Sequence, residues 1–227
     1  MNGAGGIMET ELTIKDIQKS NEVKALLQAA GIQMDSLGYT EHTFRHCRLV
    51  SNKCGEILEI LGEDEHMVEL GKIAGYLHDI GNAVSRNNHA VSGAIMAYDM
   101  LVRKGMSYDN AAIIMMAIAN HDEGEGVPVN RIAAALILSD KADVHRSRVR
   151  NKHKETFDIH DRVNYAATLS TLTVVGEKAR LEIEIDTEIS PVMDYFEIFL
   201  DRMKLCRNAA NYLNLNFELF INGTQLL

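Results

Sequence analysis

Residues 73–81 read Ile-Ala-Gly-Tyr-Leu-His-Asp-Ile-Gly. A largely apolar helix carries an adjacent imidazole and carboxylate, His78 and Asp79, to its end, and an apolar residue and a glycine follow. Buried without partners, that pair would cost roughly several kcal/mol, and a bound cation is one efficient way to offset the cost. The lead-in belongs to a helix expected over residues 65–77. The chain around it keeps the same rhythm. Upstream, residues 40–61 place Leu49, Val50, Ile57, Leu58 and Leu61 on one helical face, with Gly62 as the stop. Before that, Ile14, Ile17, Val23, Leu26 and Leu27 repeat helically up to a stop expected at Gly31. Downstream, helices are expected over 89–103 and 108–119. A further one is expected from Pro128, whose fixed φ suits a first turn, to about residue 140.

Near Thr168 the period changes. Residues 172–175 and 179–186 read as two strands around a tight turn at Gly176-Glu-Lys, with Leu181, Ile183 and Ile185 alternating with Glu182, Glu184 and Asp186. Ser190-Pro191 opens another amphipathic helix to about residue 213, and Leu215, Phe217 and Leu219 suggest a third strand. The expected fold class is mainly α, a helical bundle with a small C-terminal α/β appendage of β-hairpin plus helix. The expected division is a flexible leader over 1–10, a helical metal-binding domain over 11–150 and the appendage over 151–227.

Composition bounds the function. In 227 residues, 46% are hydrophobic and 24% charged, enough apolar material for a sizeable core. The formal net charge of -9 argues against nucleic acid or an anionic membrane as the main partner. It leaves room for a small phosphate ligand in a locally basic pocket. Cys47, Cys54 and Cys206 have no metal-type spacing and suit a reducing compartment. No apolar run is long enough to span a bilayer, and the first residues lack the pattern of a secretory signal, so a cytoplasmic location is expected.

Six residues stand out for chemistry: His46, His78, Asp79, His89, His121 and Asp140, each near a helix end and set in an apolar frame. Asp140 closes the apolar run over 132–138. A single histidine near a helix end is usually solvated or hydrogen-bonded, and His42, His66, His145, His153 and His160 fit that description. The dipeptide His160-Asp161 repeats the two letters without an apolar lead-in and reads as a decoy. The ordered set His…His-Asp…His…His…Asp carries the weight.

That set resembles the HD superfamily of metal-dependent phosphohydrolases, all-helical proteins named for the His-Asp pair. The matching stretches are His46-Cys-Arg-Leu-Val50, Leu77-His-Asp-Ile-Gly81, His89-Ala-Val-Ser-Gly-Ala94, Ala119-Asn-His121 and Leu138-Ser-Asp-Lys-Ala-Asp143, within about residues 40–145. Both His42 and His46 are candidates for the first ligand. The family's register favours His46, leaving His42 behind it or facing substrate. The resemblance implies that His46, His78, Asp79 and Asp140 hold one metal ion. His89 and His121 then hold a second, with Asp79 bridging and His78 and Asp79 at the catalytic centre. Members with one metal lack the two extra histidines. Imidazole and carboxylate ligands without thiolate suit two divalent ions drawn from iron, manganese, cobalt or zinc. Two such ions can activate a shared water for attack on phosphorus and neutralise phosphoryl charge.

Cations for the rest of the substrate are expected in residues 141–152, where five Lys or Arg occur among twelve residues. Lys141 and Arg146 lead that set, with His42 as a third substrate contact; the same run could instead be a solvated turn or a homodimer contact. Residues 122–126, Asp-Glu-Gly-Glu-Gly, read as a flexible loop over the site or an exposed acidic turn. Met96, Met100, Met106, Met115 and Met116 read as core filling. Cyclic-di-GMP phosphodiesterases of the HD-GYP type share His78-Asp-Ile-Gly81 but carry Lys where this chain has Asn82, and Gly-Tyr-Pro where it has Gly126-Val-Pro128. Residues 118–121 and their spacing to Asp140 look closer to HD hydrolases that cleave diadenosine tetraphosphate symmetrically. The expected function is hydrolysis of a nucleotide or related phosphoester or phosphoanhydride, with a small phosphorylated substrate as partner. The alternatives are an HD-scaffold regulatory protein that binds metal or nucleotide without turnover, and a di-iron oxygenase.

Overall fold

The computed structural model describes residues 12–227, so the leader expected at 1–10 lies outside the described residues. The chain runs α1 (Ile14–Lys19), α2 (Asn21–Ser36), α3 (Phe44–Ile60), α4 (Glu65–Leu77), α5 (His89–Arg103), α6 (Tyr108–Ala119) and α7 (Arg131–Lys141). It continues through α8 (Ile159–Ala166), β1 (Ala167–Val175), β2 (Lys178–Ile185), α9 (Val192–Tyr212), β3 (Asn216–Ile221) and β4 (Thr224–Gln225). The protein is mainly α, with a small sheet near the C-terminus. Among the described residues, no helix is long and apolar enough to cross a membrane.

Side-chain caps set several of the helix starts by satisfying backbone N–H groups that have no partner within the helix. Asp64 accepts from the Met67 amide at 2.8 Å and starts α4. Asn130 accepts from the Ala133 amide at 2.7 Å, so α7 begins at Arg131 rather than at Pro128. The helix expected from residue 40 begins only at Phe44. Glu41 accepts from both the amide and the hydroxyl of Thr43, and the Glu41 amide donates to the Arg148 carbonyl at 2.8 Å. Gly31 does not stop α2. A Cβ there would come within 2.5 Å of Thr43 Cγ2, so the glycine lets the 40–43 segment press against the helix. Helix α8 has a weak sequence signal; the Asp158 carboxylate caps it by accepting from the Asp161 amide at 2.7 Å.

In the sheet, β1 and β2 form the expected antiparallel hairpin, with Leu172 opposite Leu181. Strand β3 pairs parallel to β2 after the α9 crossover, and β4 closes the order antiparallel to β3. The apolar core is continuous from Leu27, Leu58 and Leu101 in the bundle to Tyr195, Cys206 and Leu219 in the C-terminal part. Met100 and Met106 are buried in it and Met96 and Met115 pack at its edge, whereas Met116 is 41% exposed.

Candidate metal centre

Five elements of the bundle deliver the six expected side chains to one point. His46 comes from α3, His78 and Asp79 from the end of α4, His89 from the first turn of α5, His121 from just after α6 and Asp140 from the end of α7. All six are buried. His46 Nε2 lies 3.2 Å from His78 Nε2 and 3.2 Å from Asp140 Oδ1. Asp79 Oδ2 lies 3.7 Å from His46 Nε2 and 3.5 Å from His78 Nε2, and Asp79 Oδ1 lies 3.5 Å from His89 Nε2. The rings of His78 and His89 stand 5.0 and 5.1 Å from that of His121, centroid to centroid.

The other ring nitrogen of each histidine explains why these atoms converge. Nδ1 of His78 donates to the Gly75 carbonyl at 2.8 Å, that of His89 to Arg86 at 3.1 Å and that of His121 to Ile118 at 2.6 Å. His46 Nδ1 donates to Asp143 Oδ2 at 2.7 Å. An imidazole whose Nδ1 carries the donated proton presents a bare lone pair at Nε2, the state a metal requires. Lone pairs 3.2 Å apart on His46 and His78 repel unless a cation or a proton lies between them.

Asp79 adds an independent observation. Its Oδ1 accepts from Asn82 Nδ2 at 2.8 Å, but its Oδ2 is buried with no hydrogen-bond donor. An unpartnered buried carboxylate oxygen among imidazole lone pairs is the donor set of a divalent cation, so the residues fit one. His46, His78 and Asp140 form one group whose ligand atoms lie within 4.8 Å of each other, and His78, Asp79 and His121 form another.

Electrostatics follow the same geometry. Burial opposes protonation of His78, but the Asp79 and Asp140 carboxylates overcome it and raise its pKa to about 10. Burial also opposes charge on Asp79 and Asp140. The His78 charge beside Asp79, and chiefly Lys141 beside Asp140, hold both well below the ordinary carboxylate range. Burial, with the positive charge on neighbouring His78, pushes His121 well below a free imidazole.

An inner cavity of about 20 Å³, the size of a water or an ion, is bounded by Asp79, His89, His121 and Asp140. It adjoins an outer cavity of about 500 Å³. His42 lines both, as expected of a substrate-facing group; its Nδ1 donates to the Thr40 carbonyl. Lys141 lines the inner cavity, with its ammonium 2.7 Å from Asp140 Oδ2 and 3.1 Å from Glu123 Oε2. Arg146 is placed elsewhere, its guanidinium 5.3 Å from the Tyr165 ring centroid.

Arg148, from the basic run expected over 141–152, lines both cavities, and so do Arg86, Arg202 and Glu123, none of which the sequence marked as substrate contacts. Arg86 could have been flagged by its place three residues before His89. Nothing local marks Arg202, which reaches the site only because α9 packs against α7. The residues 122–126 loop lies over the site through Asp122 and Glu123, and the His160-Asp161 pair, read as a decoy, lines the outer cavity.

Comparison with known proteins agrees with the site. The HD domain family matches residues 43–165. An uncharacterized protein of Methanocaldococcus jannaschii is 25% identical over 209 residues, covering 82% of this chain and 79% of its own. Ribonuclease Y of Lawsonia intracellularis is 33% identical over 105 residues, 45% of this chain and 18% of the enzyme. Ribonuclease Y of Staphylococcus epidermidis is 29% identical over 181 residues, 78% of this chain and 31% of the enzyme. The chain thus spans less than a third of the length of either ribonuclease. HD domains bind divalent metals and are generally metal-dependent phosphohydrolases. With its ordered His and Asp residues gathered at one buried point and the family match covering more than half its length, this chain belongs to the HD domain family.

Proposed function

We propose that the protein is a metal-dependent phosphohydrolase that cleaves a nucleotide or related phosphoester or phosphoanhydride. His46, His78, Asp79 and Asp140 hold one divalent ion, His89 and His121 hold a second, and Asp79 serves both. The ions are drawn from iron, manganese, cobalt and zinc, for which this nitrogen and oxygen set is suited. When bound, they lower the pKa of water and neutralise charge on the phosphoryl oxygens. The protein's own groups do the rest. Asn82 fixes one Asp79 oxygen and leaves the other turned into the site, and the Nδ1 donations fix every imidazole. Lys141, itself held by Glu123, pairs with Asp140, and His42 faces the cavity where substrate enters.

The observation that carries this reading is the convergence of histidine Nε2 atoms on the unpartnered Asp79 Oδ2. The likeness to ribonuclease Y supports a second substrate, an RNA phosphodiester, for the same centre. The test is phosphate or nucleotide release by anaerobically purified protein supplied with Mn²⁺ or Fe²⁺. The panel comprises mononucleotides, dinucleoside polyphosphates, cyclic dinucleotides, short oligoribonucleotides and an aryl phosphate. Metal-dependent release that is absent in Asp79→Ala is the expected result. Bound metal without release from any compound would overturn the hydrolase reading in favour of a regulatory or oxygenase role.

A further inference from the structure

The cations around the cavity differ in how far the protein itself uses them. Arg148 donates Nε and Nη2 to the Glu41 carbonyl and Nη1 to the Asp143 carbonyl, so its fork closes on the backbone. The Lys141 ammonium is engaged by Asp140 and Glu123. Arg202, on α9 and outside the family-matching segment, is held on one side only. Its Nε donates to Glu123 Oε1 at 2.8 Å and its guanidinium lies 4.1 Å from the Phe199 ring centroid. Among the described residues its two terminal nitrogens have no hydrogen-bond partner, and the side chain lines both cavities. Arg86 lines both as well, with Nη1 3.4 Å from His89 Nε2 and 3.5 Å from Asn82 Oδ1. Two guanidinium groups from separate elements thus face the space beside the metal centre, and a preoriented fork is the geometry that suits phosphoryl oxygens.

Beyond those arginines the outer cavity adds acidic groups. Asp158, Asp161 and Asp201 line it, each using one carboxylate oxygen within the protein (on the Asp161 amide, on Asn151 and on Lys204), with Tyr39 and Phe199 contributing aromatic surface. Its volume of about 500 Å³ falls in the range of small-molecule sites. Carboxylates there accept hydrogen bonds from hydroxyl groups, as acidic residues do from ribose, and repel a second phosphate.

We propose that Arg202 and Arg86 clamp the phosphoryl group at the metal centre, and that the acidic outer cavity selects substrates with one terminal phosphate on a hydroxyl-bearing body. A ribonucleoside monophosphate has that chemistry; an oligonucleotide or a polyphosphate does not. The C-terminal part of the chain is then a working wall of the site. This proposal rests on the phosphohydrolase reading for its substrate, whereas the clamp itself is measurable without turnover.

The test uses the full chain loaded with Mn²⁺ and the variants Arg202→Gln and Asp201→Asn. Inorganic phosphate binding is measured by calorimetry, with metal content and thermal midpoint on the same samples. Arg202→Gln is expected to bind phosphate at least tenfold more weakly with the metal content of the folded protein unchanged, and to lose at least tenfold in kcat/KM for a ribonucleoside monophosphate, mainly through KM. Asp201→Asn is expected to lower the preference for monophosphate over diphosphate at least threefold. Unchanged phosphate affinity in Arg202→Gln would overturn the clamp. A wild-type preference for oligoribonucleotides or diphosphates would overturn the selectivity. Absence of hydrolysis with tight, Arg202-dependent phosphate binding would sink the hydrolase reading and leave the clamp standing.

Discussion

At the scale of single residues, the site depends on atoms that position other atoms. Asn82 makes the hydrogen bond that turns Asp79 Oδ2 inward. Asn82→Ala is expected to weaken metal binding about 10–100-fold, the range found when a ligand's supporting hydrogen bond is removed; a chelator competition assay on both proteins measures it. Asp143 supports His46 in the same way and is itself stabilised. Burial raises its pKa, but the Arg148 guanidinium and His46 hold it well below the ordinary carboxylate range. A carboxyl depressed in the folded state contributes stability above its unfolded pKa, about 3.9, and loses it as pH falls below that value. Asp143→Asn is therefore expected to be less stable than wild type by about 1–3 kcal/mol at pH 6. The gap should begin to narrow as pH falls below about 4 and go on narrowing toward the depressed folded-state pKa, read from urea midpoints across the acid range. The six candidate ligands stand out in the sequence because each lies near a helix end in an apolar frame. The supporting groups do not, since Asn82, Asp143 and Arg202 are ordinary letters until the fold brings them beside a ligand.

At the scale of elements, α4 and α6 follow from their apolar period and side-chain caps, α5 from its apolar period alone, and the hairpin from the alternation in β2. Sequence reasoning failed where a tertiary contact overrode a local rule. Gly31 reads as a stop but is a packing gap for Thr43, and residues 40–43 read as helix but are tied to Arg148. Gly81 shows the same logic at the site. A Cβ on it would collide with the His89 carbonyl and press on the Gly93 amide, so this glycine lets the first turn of α5 bring His89 alongside His78 and Asp79. Gly81→Ala should cost about 1–3 kcal/mol through overpacking. It should also displace His89, with loss of the second metal before the first. Thermal melts with metal analysis of the folded fraction check both effects; an unperturbed melt with full metal content would refute the packing account.

At the scale of the whole molecule, the C-terminal sheet and α9 share one apolar core with the bundle, and α9 carries Arg202 and Phe199 to the cavity. The sequence marked the change from helical to alternating period near Thr168. It could not show that the part beyond it reaches back over the site, because that depends on contacts between residues distant in the chain. A shared core predicts cooperative unfolding of the two parts. Calorimetry and circular dichroism should give one coincident transition; two separated transitions would contradict it.

The central claim is that six buried side chains form one metal centre with Asp79 common to both ions. The most direct measurement is metal content per chain on anaerobically purified wild type, Asp79→Ala and His121→Ala. The expected values are about two ions, almost none and about one, as for a binuclear centre with a shared carboxylate. Asp79→Ala protein that is folded and retains its full complement of metal would contradict the assignment.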